Sequence, residues 1–577
     1  MKELLAKARA IVVVLAIFST SGLSVSGLSY DYYATTKCLS EPHKAQYGGG
    51  IIANPEFKHG TANWTVLGQG AIREELPENG NRYIVSYNRS TSVSGLSQKV
   101  QLQDGMLYTF SAWIQVSRGS ESVAAVFRSA KNVTIQVGRV IAKNGCWSFL
   151  KGGAFANFSG PIDILFKSNN TRVDILIDSV SLKPFTIEQW KSQQEKSIEK
   201  ERKSKVRFVI TYANGTAVEN ARVKIKQTKP SFAFGCGMNF HILSSKGYRK
   251  WFASRFKHTT FTNSMKWYST EEVQGQENYT IADAMVKFCK KHSISIRGHN
   301  IFWDDPKYQP KWVPSLSPKE LRKAAARRID SVVTRYKGDL IAWDVMNENL
   351  HFGFYEDKLG KNASAKYYLR AFQLDPGVRM FLNEYNTIED SEDEDADPSK
   401  YNEKLDEILS YPGLKRMLPG IGLQGHFSSD QPNLAYMRSS MDILGSKGIP
   451  IWLTEVSVEA GPKQAEYLEQ VLREGYSHPA VQGIIMFAGP EIAGFKNTSL
   501  ADINFHNTRS GDAVDKLIDQ WRIKSTKTKA NGKGSLEIPL FHGDYDITVK
   551  DPVSHSLTIL SFTVTKDITS VHVFIDG

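Results

Sequence analysis

Two glutamates stand out by what precedes them. Glu348 closes Trp343-Asp-Val-Met-Asn-Glu and Glu455 closes Ile451-Trp-Leu-Thr-Glu, each after a short apolar run. A carboxyl that follows a buried strand sits where the chain leaves the core, which is where barrel enzymes keep their reacting groups. Two such carboxyls can divide the work at a glycosidic bond. One stays protonated and donates to the leaving oxygen, while the other stays ionised and attacks the anomeric carbon. An arbitrary pair of glutamates would be two solvated loop residues. Asn347, His299 and His426, which also fall at predicted strand ends, argue against that reading here. No ligand cluster suggests a catalytic metal, and the expected chemistry requires no cofactor.

The elements that must position these groups are legible from Pro230 onward, where buried strands alternate with amphipathic helices. Strands are predicted at Ala233–Phe234, Thr259–Thr262, Ser295–His299, Ile341–Met346, Arg379–Leu382, Gly422–Gln424, Ile451–Thr454 and Gly483–Phe487. Helices are predicted between them at Ile281–His292, Pro318–Tyr336, Ala363–Gln373, Tyr401–Leu409 and Lys463–Glu474. Strand and helix alternating over roughly 300 residues is the pattern of a (β/α)8 TIM barrel, placed at 229–522.

The flanks read differently. Residues 38–187 carry short alternating segments separated by Gly, Asn and Ser, the text of a β-sandwich binding module, with Cys38 and Cys146 as a candidate disulfide. Residues 188–205 are rich in Lys, Glu and Gln and are expected to form a charged, solvated helical linker. Residues 206–228 and 523–577 are strand-like, and neither is long enough to build a core alone. They are expected to pair into one small β-sandwich interrupted by the barrel.

The chain has 577 residues, with 72 Lys plus Arg against 60 Asp plus Glu and 4 Cys. This excludes wholesale disorder and a disulfide-dense scaffold. Residues 1–27 have the basic, apolar, small-residue order of a signal peptide, and no later stretch is long enough to span a membrane. Nine Asn-x-Ser/Thr sequons fit that route. Secretion directs the net charge of +12 towards an acidic extracellular polymer rather than nucleic acid or membrane.

The ordered motifs Arg297-Gly-His-Asn-Ile-Phe-Trp, Trp343-Asp-Val-Met-Asn-Glu, Phe381-Leu-Asn-Glu-Tyr-Asn, Gly422-Leu-Gln-Gly-His and Trp452-Leu-Thr-Glu resemble glycoside hydrolase family 10, the endo-β-1,4-xylanases, of the plant type. The N-terminal region resembles a family 22 carbohydrate-binding module through Gly49-Gly-Ile-Ile-Ala-Asn-Pro and Gly145-Cys-Trp. The resemblance implies Glu348 as acid/base and Glu455 as nucleophile of a retaining double displacement on xylan, with the carboxyls about 5–5.5 Å apart. It implies substrate contacts from Asn263, Lys266, His299, Trp303, Asn347, Gln424, His426 and Phe487. A secreted, cell-wall-located monomer is the expected form.

Several positions depart from the family pattern. Asp304 stands where a second histidine is usual, Ser457 where an aspartate supports the histidine at His426, Phe487 for a tryptophan and Thr262 for a glutamate. In the module, Val93 takes the place of a sugar-stacking tryptophan. These departures motivate two alternatives: a wall-binding protein with impaired turnover, or a transglycosylase using the same covalent intermediate. Three further features take bland readings. The acidic run Glu389–Asp397 is expected to be a solvated, mobile loop, and Trp64, Trp113 and Trp147 to be core. Cys236 and Cys289 fit a bridge or two buried thiols equally.

Overall fold

The computed structural model describes residues 29–575 except 79 and 132. The leader read at 1–27 and the sequon at Asn132 lie outside the described residues. The chain divides into two compact units, one holding Tyr30–Ser192 with Phe234–Gly511, the other Gln193–Ala233 with Asp512–Gly577.

In the first unit, the N-terminal module packs two antiparallel sheets face to face. One sheet runs Thr65–Leu67, Gly95–Leu102, Gly160–Lys167, Ser120–Ser129, Thr134–Lys143. The other runs Ala71–Glu75, Tyr83–Tyr87, Ile175–Phe185, Leu107–Val116, Ser148–Phe155. Alternate residues such as Phe110, Phe127, Ile164 and Phe166 fill the space between the sheets, as period-two patterning requires. Trp64 lies in that core, and Trp113 and Trp147 lie in a smaller cluster with Phe149. Cys38 and Cys146 are disulfide-bonded.

Leu107–Val116 and Ser148–Phe155 are buried on both faces, because the barrel helix Leu434–Gly445 packs against their outer side. The approach is so close that a Cβ on Gly153 would lie 2.6 Å from the Ala435 backbone, which only glycine avoids.

The barrel strands are β1 (Ala233–Met238), β2 (His258–Phe261), β3 (Ser295–Gly298), β4 (Ala342–Asn347), β5 (Arg379–Glu384), β6 (Leu418–Leu423), β7 (Ile451–Val458) and β8 (Val481–Met486). They close into an eight-stranded parallel barrel in the order β3-β2-β1-β8-β7-β6-β5-β4, with β3 also pairing β4. Helices Thr280–Lys291, Pro318–Arg335, Ala363–Leu374, Pro398–Leu409 and Gln464–Ser477 lie between the strands in the chain, where the apolar periodicity predicts them. The Pro318 helix starts on a capping box between Ser317 and Glu320. Two short extensions, Phe302–Trp303 beside β4 and His426–Phe427 beside β7, carry the chain past the barrel rim. Cys236 and Cys289 are buried free thiols.

In the second unit, Lys203–Tyr212 lies between Ser535–Phe541 and Ser570–Ile575, and Arg222–Pro230 between Thr526–Lys529 and Gly543–Lys550, with Leu557–Val564 outermost. The segments before and after the barrel thus share both sheets, as expected, around Phe208, Val223, Ile547 and Phe562.

The charged linker is helical, as read from the sequence, but it is not solvated on every side. Ile187–Arg202 is a helix, and Trp190, Gln193, Gln194, Ser197 and Ile198 are buried on it at helical spacing. Composition alone hid that stripe, because three of its five members are polar.

Candidate active site

The groups singled out by sequence meet at the C-terminal ends of the strands. After β4 the backbone turns through Glu348 in the left-handed region, at φ 60°. A non-glycine residue there is sterically costly and persists only where its surroundings hold it. Glu348 N–H donates to the Asn383 carbonyl at the end of β5 (2.8 Å). The turn lifts the carboxyl towards three donors. Trp303 Nε1 donates to Oε2 at 2.7 Å, and Asn347 Nδ2 and Gln424 Nε2 donate to Oε1 at 3.0 and 3.1 Å. Burial raises the Glu348 pKa, the bonds from Trp303 and Gln424 oppose that rise, and the charge of Glu455 adds to it.

Glu455, within β7, sits in the opposite electrostatic environment. Its Oε1 accepts from Asn383 Nδ2 at 2.8 Å and lies 3.8 Å from His299 Nε2. Its Oε2 lies 3.5 Å from His426 Nε2. Burial alone would raise its pKa, but His299, His426 and Lys266 together hold it at about 2.

His299 is itself oriented from behind. Its Nδ1 meets Asp344 Oδ2 at 2.9 Å, and Asp344 Oδ1 takes Arg297 Nη2 at 2.5 Å, all three side chains being buried. His426 Nδ1 meets Ser457 Oγ at 2.7 Å, so Ser457 fills the orienting role expected of an aspartate without its charge. Burial would lower the His426 pKa, but the neighbouring carboxylates, Glu455 first, raise it.

The remaining predicted residues are placed as follows. Lys266 places its ammonium 4.2 Å from the Trp303 ring centroid and has its pKa lowered by burial. Trp303 also stacks on Tyr308 at 3.9 Å between centroids. Phe487 packs edge-on against His299 and His426. Asn263 is exposed and accepts from Tyr268 Oη at 2.7 Å.

The chain as a whole is similar to known proteins. The model of the family described as Glycosyl hydrolase family 10 matches residues 224–489, and that of a carbohydrate binding domain matches 49–153. Endo-1,4-beta-xylanase 5-like of Arabidopsis thaliana is 46% identical over 95% of this chain and 94% of its own length. Endo-1,4-beta-xylanase 5 of the same plant is 46% identical over 95% of each chain. The solved xylanase 10B of Thermotoga petrophila, in complex with xylobiose, is 21% identical, with a TM-score of 0.45 over 50% of this chain and 94% of that one. The chain belongs to glycosyl hydrolase family 10.

Within this family 10 chain, two departures take on physical meaning. Asp304 is not a cleft group. It is fully buried, and its carboxyl accepts from Asn349 Nδ2 at 2.7 Å and Tyr355 N–H at 3.0 Å, anchoring the segment after Glu348. Burial pushes its pKa up to about 7. Val93 packs on Ala124, Val126 and Leu165 and offers no ring for a sugar.

Other groups at the site were missed. Asn383 Nδ2 donates to both Asn347 Oδ1 and Glu455 Oε1, and Thr454 Oγ1 fixes its amide oxygen at 2.5 Å. Asn383 and Glu384 stand inside a quoted family motif, which was the available signal. The acidic run is also corrected. Glu389 is turned inward, accepting from Gly425 and His426 N–H, and Asp393 pairs with His351. Among the described residues, no group of three or more His, Cys, Asp or Glu could hold a metal.

Proposed function

We propose that this family 10 glycosyl hydrolase is an endo-β-1,4-xylanase that cleaves xylan by retaining double displacement. Glu348 is the acid/base and Glu455 the nucleophile. In the first step a Glu455 oxygen attacks the anomeric carbon while Glu348 gives its proton to the departing glycosidic oxygen. In the second step Glu348 takes a proton from water, which displaces Glu455 from the sugar. The observation that carries this reading is the opposite environment of the two carboxyls. One is raised by burial and the other is held at about 2 by two histidines and a lysine, which is the division of protonation that the first step needs. His299 and His426 flank the nucleophile, and Trp303, Lys266, Asn263 and Phe487 form the wall on which the sugar rings lie.

The test is mass spectrometry after incubation with a 2-fluoro-xylobioside bearing a good leaving group. A mass gain on the peptide containing Glu455 is expected. Folded protein that takes no label would favour a wall-binding role without turnover. Glu455→Gln is expected to abolish reducing-end release from xylan, and Glu348→Gln to lower it about 10²–10⁴-fold.

Secretion to the cell wall, a monomeric state and glycosylation of sequons such as Asn63, Asn214 and Asn362, whose side chains are exposed, belong to the same proposal. The net charge of +12 supports retention on glucuronate-bearing xylan, so wall binding should weaken as salt rises.

A further inference from the structure

The 389–397 segment has two sides, and both are occupied. On its outer side it meets the N-terminal module. Arg139 Nη2 reaches Glu394 Oε1 at 2.5 Å, and Arg139 Nε lies 3.8 Å from Asp397 Oδ2. Gln136 N–H donates to Glu392 Oε1 at 2.6 Å, and its side-chain amide donates to the Ser391 carbonyl. Arg139 is itself fixed by Gln136 Oε1 at 2.6 Å and Ser122 Oγ at 2.9 Å, and its side chain is 6% exposed. The guanidinium is buried and held by Gln136 and Ser122, while its partner Glu394 is 43% exposed and also meets Lys167 Nζ at 3.3 Å, so the fixed side of this ion pair is the arginine.

On its inner side the same segment holds the main chain beside His426 directly and reaches the turn after Glu348 through His351 and Glu384. Glu389 Oε1 accepts from Gly425 N–H at 2.6 Å and His426 N–H at 2.9 Å, which sets the extension that carries His426 to Glu455. Asp393 Oδ2 takes His351 Nε2 at 2.9 Å, and His351 Nδ1 meets Glu384 Oε1 at 2.8 Å. Glu384 Oε2 then accepts from Leu350 N–H at 2.8 Å, clamping the turn just after Glu348.

We propose that Arg139, a residue of the carbohydrate-binding module, is a positioning residue for the catalytic pair, acting through the 389–397 segment. The module is then a structural part of the active site and not only a tether to polysaccharide. The proposal rests on the roles assigned to Glu348 and Glu455. Glu455 is faced by His299 after β3, His426 beside β7, Lys266 after β2 and Glu348 after β4, with Asp344 behind His299. Of these, His426 is the one whose backbone the segment holds. Loss of the anchor therefore withdraws one of the two histidines that keep Glu455 ionised.

The test uses full-length Arg139→Ala, Arg139→Lys and Glu394→Gln proteins. Rates on 4-nitrophenyl β-xylobioside are measured across pH, alongside hydrogen exchange of the same samples. Arg139→Ala is expected to lower kcat about tenfold with little change in KM. It should raise the acid limb of kcat/KM and move the alkaline limb less. Arg139→Lys should restore part of both effects, and Glu394→Gln, which removes one charge and leaves no cavity, should shift them in the same direction by less. Amides of 425–427 and 348–352 should exchange faster, with the rest of the barrel unchanged. Unchanged kcat, acid limb and protection would overturn the proposal. So would activity that falls only in step with the unfolded fraction while the acid limb stays fixed. If the wild-type chain leaves the xylobioside intact, the assigned function fails, and exchange decides the positioning claim separately. If Arg139→Ala does not fold, Glu394→Gln decides it.

Discussion

Each hydrogen of the Asn383 amide has its own acceptor, Glu455 Oε1 and Asn347 Oδ1, and Asn347 passes the link on to Glu348 Oε1. The isosteric Asn383→Asp replaces both donors with a charge beside Glu455. A like charge disfavours ionisation, so the Glu455 pKa rises. The acid limb of kcat/KM should move up and its maximum fall about 10²-fold, read from rate against pH. Trp303→Phe removes a bond that favours ionised Glu348, so the alkaline limb should move to higher pH. At this scale the sequence singled out the two carboxyls because each closes a short apolar run, although β7 continues past Glu455 to Val458. It did not identify Asn383, whose importance lies in what its two hydrogens reach. It did not show that Asp304 is buried, since identity says nothing about which side of the strand end a side chain faces.

Among elements, the loops after β4 and β5 are joined through His351. Burial would lower its pKa, but Glu384 and Asp393 override that and raise it to about 9, against an ordinary 6.5. A histidine whose folded pKa is raised contributes stability that is fully present below about 6.5 and is lost as pH rises through about 9. His351→Ala should therefore lower the melting temperature more at pH 6 than at pH 10, as measured by thermal scans at both. Barrel strands and helices were legible because short continuous apolar runs and a helical period of 3.6 are local properties of the text. The acidic run was not, because its partners Arg139 and Gln136 lie some 250 residues earlier. A run of charges reads as solvated until its counter-charge is located. The buried face of the helix Ile187–Arg202 was missed for a related reason, since a face made largely of glutamine and serine carries no apolar signal.

Across the first unit, the module and barrel share buried charge as well as apolar surface. Lys151 Nζ lies 2.7 Å from Asp442 Oδ2 with both side chains 1% exposed, and Asp442 also takes Tyr30 Oη at 2.6 Å and His478 Nε2 at 3.0 Å. Arg438 pairs with Glu474 beneath the Trp190 ring, whose Nε1 donates to Glu474 Oε2 at 2.7 Å. Removing one partner of such a pair strands the other. Lys151→Met should cost about 3–5 kcal/mol by denaturant unfolding, with part regained on adding Asp442→Asn. The second unit imposes a different constraint, one of timing. Its strands Lys203–Tyr212 and Arg222–Pro230 are made first, but their partners begin only at Thr526. At about 5–20 residues per second, the ribosome needs roughly 15–60 s to synthesise the intervening stretch. Throughout that interval two apolar strands wait with open edges while the barrel emerges and folds. The sheet of Arg222–Pro230 is complete once Leu557–Val564 has been translated, and that of Lys203–Tyr212 only with Ser570–Ile575, so both sheets of this small sandwich wait for strands made after the barrel.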